Sequence, residues 1–110
     1  IVVATPTGST AYSLSAGGPI VDPELESMLL TPVCPHSLVD RSLIFGADTV
    51  ITVSSAENER LCFSADGVKP QLIDRGCSAR IERADLTANF IRIKADSFID
   101  IVYKKLAQRR

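Results

Sequence analysis

The sequence has no tryptophan, one methionine, one histidine and only 5% aromatic residues. A surface of several stacked rings, the usual platform for single-stranded nucleic acid, is therefore not on offer. No apolar run approaches the roughly 18 residues that a membrane-spanning helix needs. Charge of one sign is missing as well. Twelve Lys and Arg stand against 13 Asp and Glu, for a net charge of −1, so there is no electrostatic footprint of a nucleic-acid partner. Cysteine is scarce: Cys34, Cys62 and Cys77 are odd in number and lack a C-x-x-C spacing. They are expected to be free thiols packed as small apolar residues in a reducing, cytoplasmic compartment. With the single His36 they are too few and too scattered for a zinc site.

What is there fits one small domain. The 110 residues are 45% hydrophobic and 23% charged, an ordinary globular balance. The opening Ile1-Val2-Val3-Ala4 reads as the body of a buried strand. It carries neither an initiator Met nor a signal peptide's charged n-region, so the chain is expected to be a fragment whose N-terminal part is missing.

Residues 1 to 5 are expected as a strand. A helix from Ser9 or Thr10 to Ala16 follows, capped by one of those hydroxyls and stopped by Gly17-Gly18, with Pro19 forbidding continuation. "DPELESMLL" (22–30) predicts a short helix with Asp22 as cap and Pro23 at its first position. The two prolines of "TPVCPHSLVDRS" (31–42) exclude a central strand or a regular helix. From Leu43 onward the pattern is β. "SLIF", "TVITVS", "LCFSAD", "SARIERA" and "NFIRIKA" are short β-favouring runs, and Asp66-Gly67 is a turn that reverses the third. Such spacing suggests a sandwich or partly closed barrel. In the tail, Phe98, Ile101, Val102 and Leu106 share a helical face with Ser97 as cap, while the β-branched "FIDIV" keeps a strand open.

The chemistry concentrates in "ATPTGSTAYSLSAGG" (4–18). It is not a nucleophile elbow, because Gly-x-Ser-x-Gly is absent and the only histidine lies in a Pro-rich stretch. Nor is it a P-loop, since no Gly-Lys-Ser/Thr follows. What remains is a turn into a helix, with unpaired amides, the Thr7, Ser9 and Thr10 hydroxyls and the Tyr12 ring. Such a group can hold ribose hydroxyls and a base edge without bond chemistry; it can equally be a capped helix and nothing more.

"TPTGSTAYSLSAGGPIVDP" (5–23) closely resembles the signature that opens the C-terminal domain of NAD kinases. "LTPVCPHSL" (30–38), "SADG" (64–67) and "ADSFIDIVYKKL" (95–106) resemble later segments of that family in the same order. The resemblance implies a mostly β, sandwich-like C-terminal domain with short helices, from which an N-terminal α/β domain is absent. It also implies transfer of a phosphoryl group from ATP, or in some members polyphosphate, to the 2′-hydroxyl of NAD's adenosine ribose, assisted by Mg²⁺. NAD would lie between the two domains. The family's Gly-Gly-Asp-Gly motif, with its proposed base, and its Asn-Glu pair belong outside this chain, so no catalytic residue and no metal ligand is expected here. Asp66 in "SADG" reads as a turn residue.

Carried over by position, Thr10, Ala11 and Tyr12 would contact the adenosine half of NAD: Thr10 through its hydroxyl, Ala11 through its amide, Tyr12 through its ring and phenol. Ser15 would lie toward the nicotinamide, and Gly8 and Ser9 would shape the turn. Cys34 to His36 would approach a subunit interface, with His36 a further NAD candidate. The family implies a homo-oligomer assembled through this domain. The other reading is a non-catalytic β-rich domain of a related lipid kinase, in which the same turn is scaffold.

Overall fold

A computed structural model of the chain describes residues 1–33, 36, 40–57 and 59–108. The apolar opening forms strand β1 (Val2–Ala4), which pairs antiparallel with β2 (Ser27–Thr31) in the register Val3↔Leu30. On its other edge β2 pairs with β3 (Leu43–Gly46), Leu29 facing Ile44. This three-stranded sheet, in the order β1-β2-β3, holds most of the core: Met28, Leu29 and Thr31 are buried, and Val21 packs beside them.

The expected helix over 22–30 is corrected by β2. Asp22 and Pro23 open a tight turn instead: the Leu25 amide donates to the Asp22 carbonyl at 3.0 Å, and the Glu24 amide donates to Asp22 Oδ1 at 2.9 Å. Asp followed by Pro suits the first two turn positions as well as a helix start. The tie is broken downstream, because "SMLL" buries more as the central strand than it could on a short helix.

The later strands form two separate ribbons. Strand β4 (Ile51–Ser54) pairs with β7 (Ser78–Ile81), and β5 (Leu61–Phe63) pairs with β6 (Gln71–Ile73). The reversal at Asp66-Gly67 is a hairpin turn: both residues have positive φ, 50° and 73°, and the Val68 amide closes it on the Ala65 carbonyl at 2.9 Å. Asp66 is thus a turn residue. Asp tolerates this left-handed conformation better than most residues, and glycine adopts it freely.

Two expectations fail in this half. "NFIRIKA" forms no strand; Ile91 and Ile93 alternate with Arg92 and Lys94, but among the described residues no strand pairs with it, and Ile93 is 93% exposed. Alternation marks a strand's face, and the ladder needs a partner. Cys62 and Cys77 are free but exposed, not packed, because β5 and the turn before β7 have little over them. Cys34 lies outside the described residues.

The tail is helix α2 (Phe98–Ala107). Its start is a reciprocal cap: the Asp100 amide donates to Ser97 Oγ, and the Ser97 amide donates to Asp100 Oδ2, both at 3.3 Å. The Lys104 ammonium bridges to Asp96 at 2.9 Å.

The molecule is mostly β with short helices, and open. Its radius of gyration is 15.7 Å, against about 13 Å for a compact 110-residue domain. It exposes 9021 Å², where a folded monomer of its mass would expose about 5,900 Å².

Candidate functional site

Strand β1 delivers the chain into Pro6, which starts a 3₁₀ turn (Thr7–Thr10). The expected caps, Ser9 and Thr10, do not cap it. Thr5 does the local work, its Oγ1 accepting from the Gly8 amide at 3.2 Å. The Ser9 and Ala11 amides close back on the carbonyls of Pro6 and Gly8, each at 3.1 Å. Ala11 then breaks the regular path (φ −97°, ψ −125°), and a single helical turn α1 (Tyr12–Ser15) follows with no side-chain cap. The expected continuous helix is thus two short pieces. Gly17, with φ 91°, ends the second in the left-handed conformation that glycine adopts without strain.

The two pieces keep one inner face. Ser9 and Ser13 are four residues apart and both buried, and each hydroxyl is spent on the scaffold. Ser9 Oγ accepts from the Val21 amide at 3.0 Å, tying the turn to the segment that enters β2. Ser13 Oγ meets Thr31 Oγ1 at 3.1 Å, and Thr31 Oγ1 meets Ser42 Oγ at 3.0 Å, a chain of hydroxyls from α1 across the end of β2 to the entry of β3. Buried hydroxyls must be paired, and here they are: among the described residues no buried side-chain polar atom lacks a partner.

Gly18 is required by this network. Its amide donates to the Ser13 carbonyl at 2.8 Å. A Cβ there would stand 2.5 Å from Ser13 Oγ and 2.7 Å from Thr31 Oγ1, so only glycine lets the loop pass over the hydroxyl pair.

The outer face carries the residues singled out from the sequence. Tyr12 is 63% exposed, and Ala11 and Ser15 are exposed beside it. Thr10 is half-buried and, with Thr7, lines a groove of about 270 Å³ between this segment and α2. Gly8 needs no unusual φ, and a Cβ there would make only ordinary contacts. The Ala11 amide, expected to face a ligand, is already donated to Gly8. Ser9 is fully buried, so it contributes by holding the turn. His36 is exposed and apart from these residues in sequence; Cys34, Pro35 and 37–39 lie outside the described residues.

Sequence reasoning missed the Ser13–Thr31–Ser42 network and the Val21 anchor. The only available signal was the four-residue spacing of Ser9 and Ser13, which says that they share a face but not that the face is inward. Among the described residues, no group of three or more His, Cys, Asp or Glu is gathered closely enough to seat a metal ion. These residues do not fit a Mg²⁺ site.

The family model described as ATP-NAD kinase C-terminal domain matches residues 1–93. The chain is 44% identical to the NAD kinase of Thermoanaerobacter sp. (strain X514) over 110 residues, covering 99% of the chain and 39% of that protein. It is 44% identical over 108 residues to the NAD kinase of Symbiobacterium thermophilum, covering 97% of the chain and 38% of that protein. The NAD kinase of Caldanaerobacter subterraneus subsp. tengcongensis is likewise 44% identical over 110 residues, with 99% and 39% covered. The chain thus spans about two fifths of the length of these relatives. With its strand, turn and helix carrying the Thr-Gly-Ser-Thr-Ala-Tyr segment and a domain match over most of its length, the chain belongs to the ATP-NAD kinase C-terminal domain family.

Proposed function

We propose that this chain is the NAD-binding and assembly part of an NAD kinase, which in its intact form phosphorylates the 2′-hydroxyl of NAD's adenosine ribose to give NADP. The donor is ATP, or polyphosphate, with Mg²⁺ at the transferring phosphates, and the enzyme is cytoplasmic. The observation that carries the reading is the two-faced motif: Ser9 and Ser13 are turned inward and bonded to the scaffold, and Tyr12 is 63% exposed. A large ring exposed on so short and tightly anchored a turn is suited to stacking on a base.

In this reading Tyr12 stacks on the adenosine, the Thr10 hydroxyl and exposed Ala11 border it, and Ser15 faces the nicotinamide half. Gly8 and Ser9 hold the turn. His36 is a further contact to NAD. The chain contains no Gly-Gly-Asp-Gly, and in this reading the base and the metal–phosphate site are supplied by other parts of the enzyme. Phosphoryl transfer depends on positioning and on charge stabilisation of the transferring group, and half a site gives neither. The large exposed surface is covered in a homo-oligomer and by an N-terminal α/β domain.

The assay compares the intact protein with the isolated 110-residue chain, both given NAD, ATP and magnesium. The intact protein is expected to form NADP and the isolated chain to form none above background. NADP from the isolated chain at a rate near that of the intact protein, or no NADP from the intact protein, would sink the reading.

A further inference from the structure

The single helical turn that carries Tyr12 has little local structure to hold it. So short a helix is not stable by itself, and α1 has no side-chain cap. Ala11, at φ −97° and ψ −125°, breaks the backbone path, so the 3₁₀ turn before it does not pass on its direction. That turn has its own anchor, Ser9 on the Val21 amide. The side-chain tie of α1 is Ser13, one residue past Tyr12, whose Oγ lies 3.1 Å from Thr31 Oγ1. Thr31 stands on β2, the central strand of its sheet, and is buried. Its Oγ1 also meets Ser42 Oγ at 3.0 Å, so the hydroxyl is engaged from two sides on a side chain that is stiff at χ1.

We propose that Thr31 is a positioning residue for NAD: through Ser13 it sets where α1, and with it the Tyr12 ring, stands, and so governs NAD affinity without touching the ligand. This rests on the reading of Tyr12 as the ring that stacks on the adenosine. The tie is directional, and a methyl of the same shape does not replace it. Ser13 and Thr31 are both buried, so bulk water does not take the place of a lost hydroxyl. The Gly18 amide still holds the Ser13 carbonyl at 2.8 Å, so loss of the hydroxyl lets α1 shift without releasing it.

The test is steady-state kinetics of the intact protein with NAD, ATP and magnesium, with a melting curve for each variant. Thr31→Val keeps the shape and removes the hydroxyl. It is expected to raise KM for NAD about three- to tenfold, less than the roughly hundredfold that a 1 Å misplacement can cost, with KM for ATP and kcat near their original values. Thr31→Ser removes the methyl and keeps the hydroxyl, and is expected to restore KM for NAD although it too loses packing. A purely structural Thr31 would lower the amount of active enzyme in both variants and leave KM unmoved. In a Tyr12→Ala background, Thr31→Val is expected to add no further loss, because both act through one ring. Should Thr31→Val fail to fold, Ser13→Ala removes the same bond from the other side and is read in the same way. An unchanged KM for NAD in Thr31→Val while Tyr12→Ala raises it, an equal rise in Thr31→Ser, or a fully additive loss in the double variant would each overturn the proposal alone. Unchanged NAD affinity in Tyr12→Ala would overturn the nucleotide reading and this proposal with it.

Discussion

The first 51 residues and the rest of the chain are built differently. Every buried side chain named in the core (Ser9, Ser13, Val21, Met28, Leu29, Thr31 and Ile51) lies in the first stretch, and among the described residues after Ile51 none is buried. The first stretch has a central strand with a neighbour on each edge and a hydroxyl network pinning the motif to it. The second has two-stranded ribbons, an extended segment with Leu86, Phe90, Ile91 and Ile93 in solvent, and a helix with no buried residue. An isolated two-stranded ribbon is marginal in water, so this half is the less stable of the two. The comparison teaches where precision is stored: the motif sits on the half that is internally held, and most of the exposed large apolar residues are on the half that is not.

The largest effect that sharpens this contrast is on stability. Leu29 is fully buried and Leu86 is 88% exposed. Leu29→Ala is expected to cost about 2–5 kcal/mol, while Leu86→Ala stays within about 0.5 kcal/mol. Chemical denaturation of the two variants of the isolated chain measures both. A substantial loss from Leu86→Ala would show that the second half has a core of its own.

A smaller effect concerns α2, whose order rests on its cap more than on burial. The Asp100 carboxyl is held below its ordinary value, first by the Ser97 hydroxyl, then by the Ser97 amide, with Lys104 adding to it. A carboxyl so lowered contributes stability at pH above its unfolded value, and that contribution is lost as pH falls through the folded one. Lys104 is raised, chiefly by its hydrogen bond to Asp96, so its contribution holds below the unfolded lysine value and is lost as pH rises through the folded one. Helicity by circular dichroism is therefore expected to be flat around neutrality and to fall in the acid carboxylate range. Ser97→Ala should cost about 1 kcal/mol of helix stability at neutral pH and flatten the acid fall. An unchanged acid profile in Ser97→Ala would mean that the cap does not control the helix.

Much of this was legible in the residues. The mostly β class, β1, the Asp66-Gly67 reversal and the Ser97-capped tail follow from β-branched runs, turn chemistry and helical spacing, all of which act over a few residues. The family was legible too, because the Thr-Gly-Ser-Thr-Ala-Tyr segment is long and its neighbours follow in order. The failures need distant partners. Residues 22–30 look helical at Asp22-Pro23 and become a strand because β1 and β3 flank them. Residues 89–95 alternate as a strand should, yet among the described residues no strand pairs with them. In the candidate site, the resemblance singled out Tyr12, and the fold leaves it exposed. The inward direction of Ser9 and Ser13 could not be read, because it depends on Thr31 and Val21, which meet them only in the fold.

The most direct test of the central claim, that the motif's outer face holds NAD while its inner face holds the fold, is calorimetric titration of NAD into the intact protein carrying Tyr12→Ala, with its melting curve recorded beside it. Losing a ring stacked on a base should weaken NAD about 5- to 150-fold, the equivalent of about 1–3 kcal/mol. The melting transition should stay where it is, because the residue is 63% exposed. Unchanged NAD affinity with an intact transition would contradict the account.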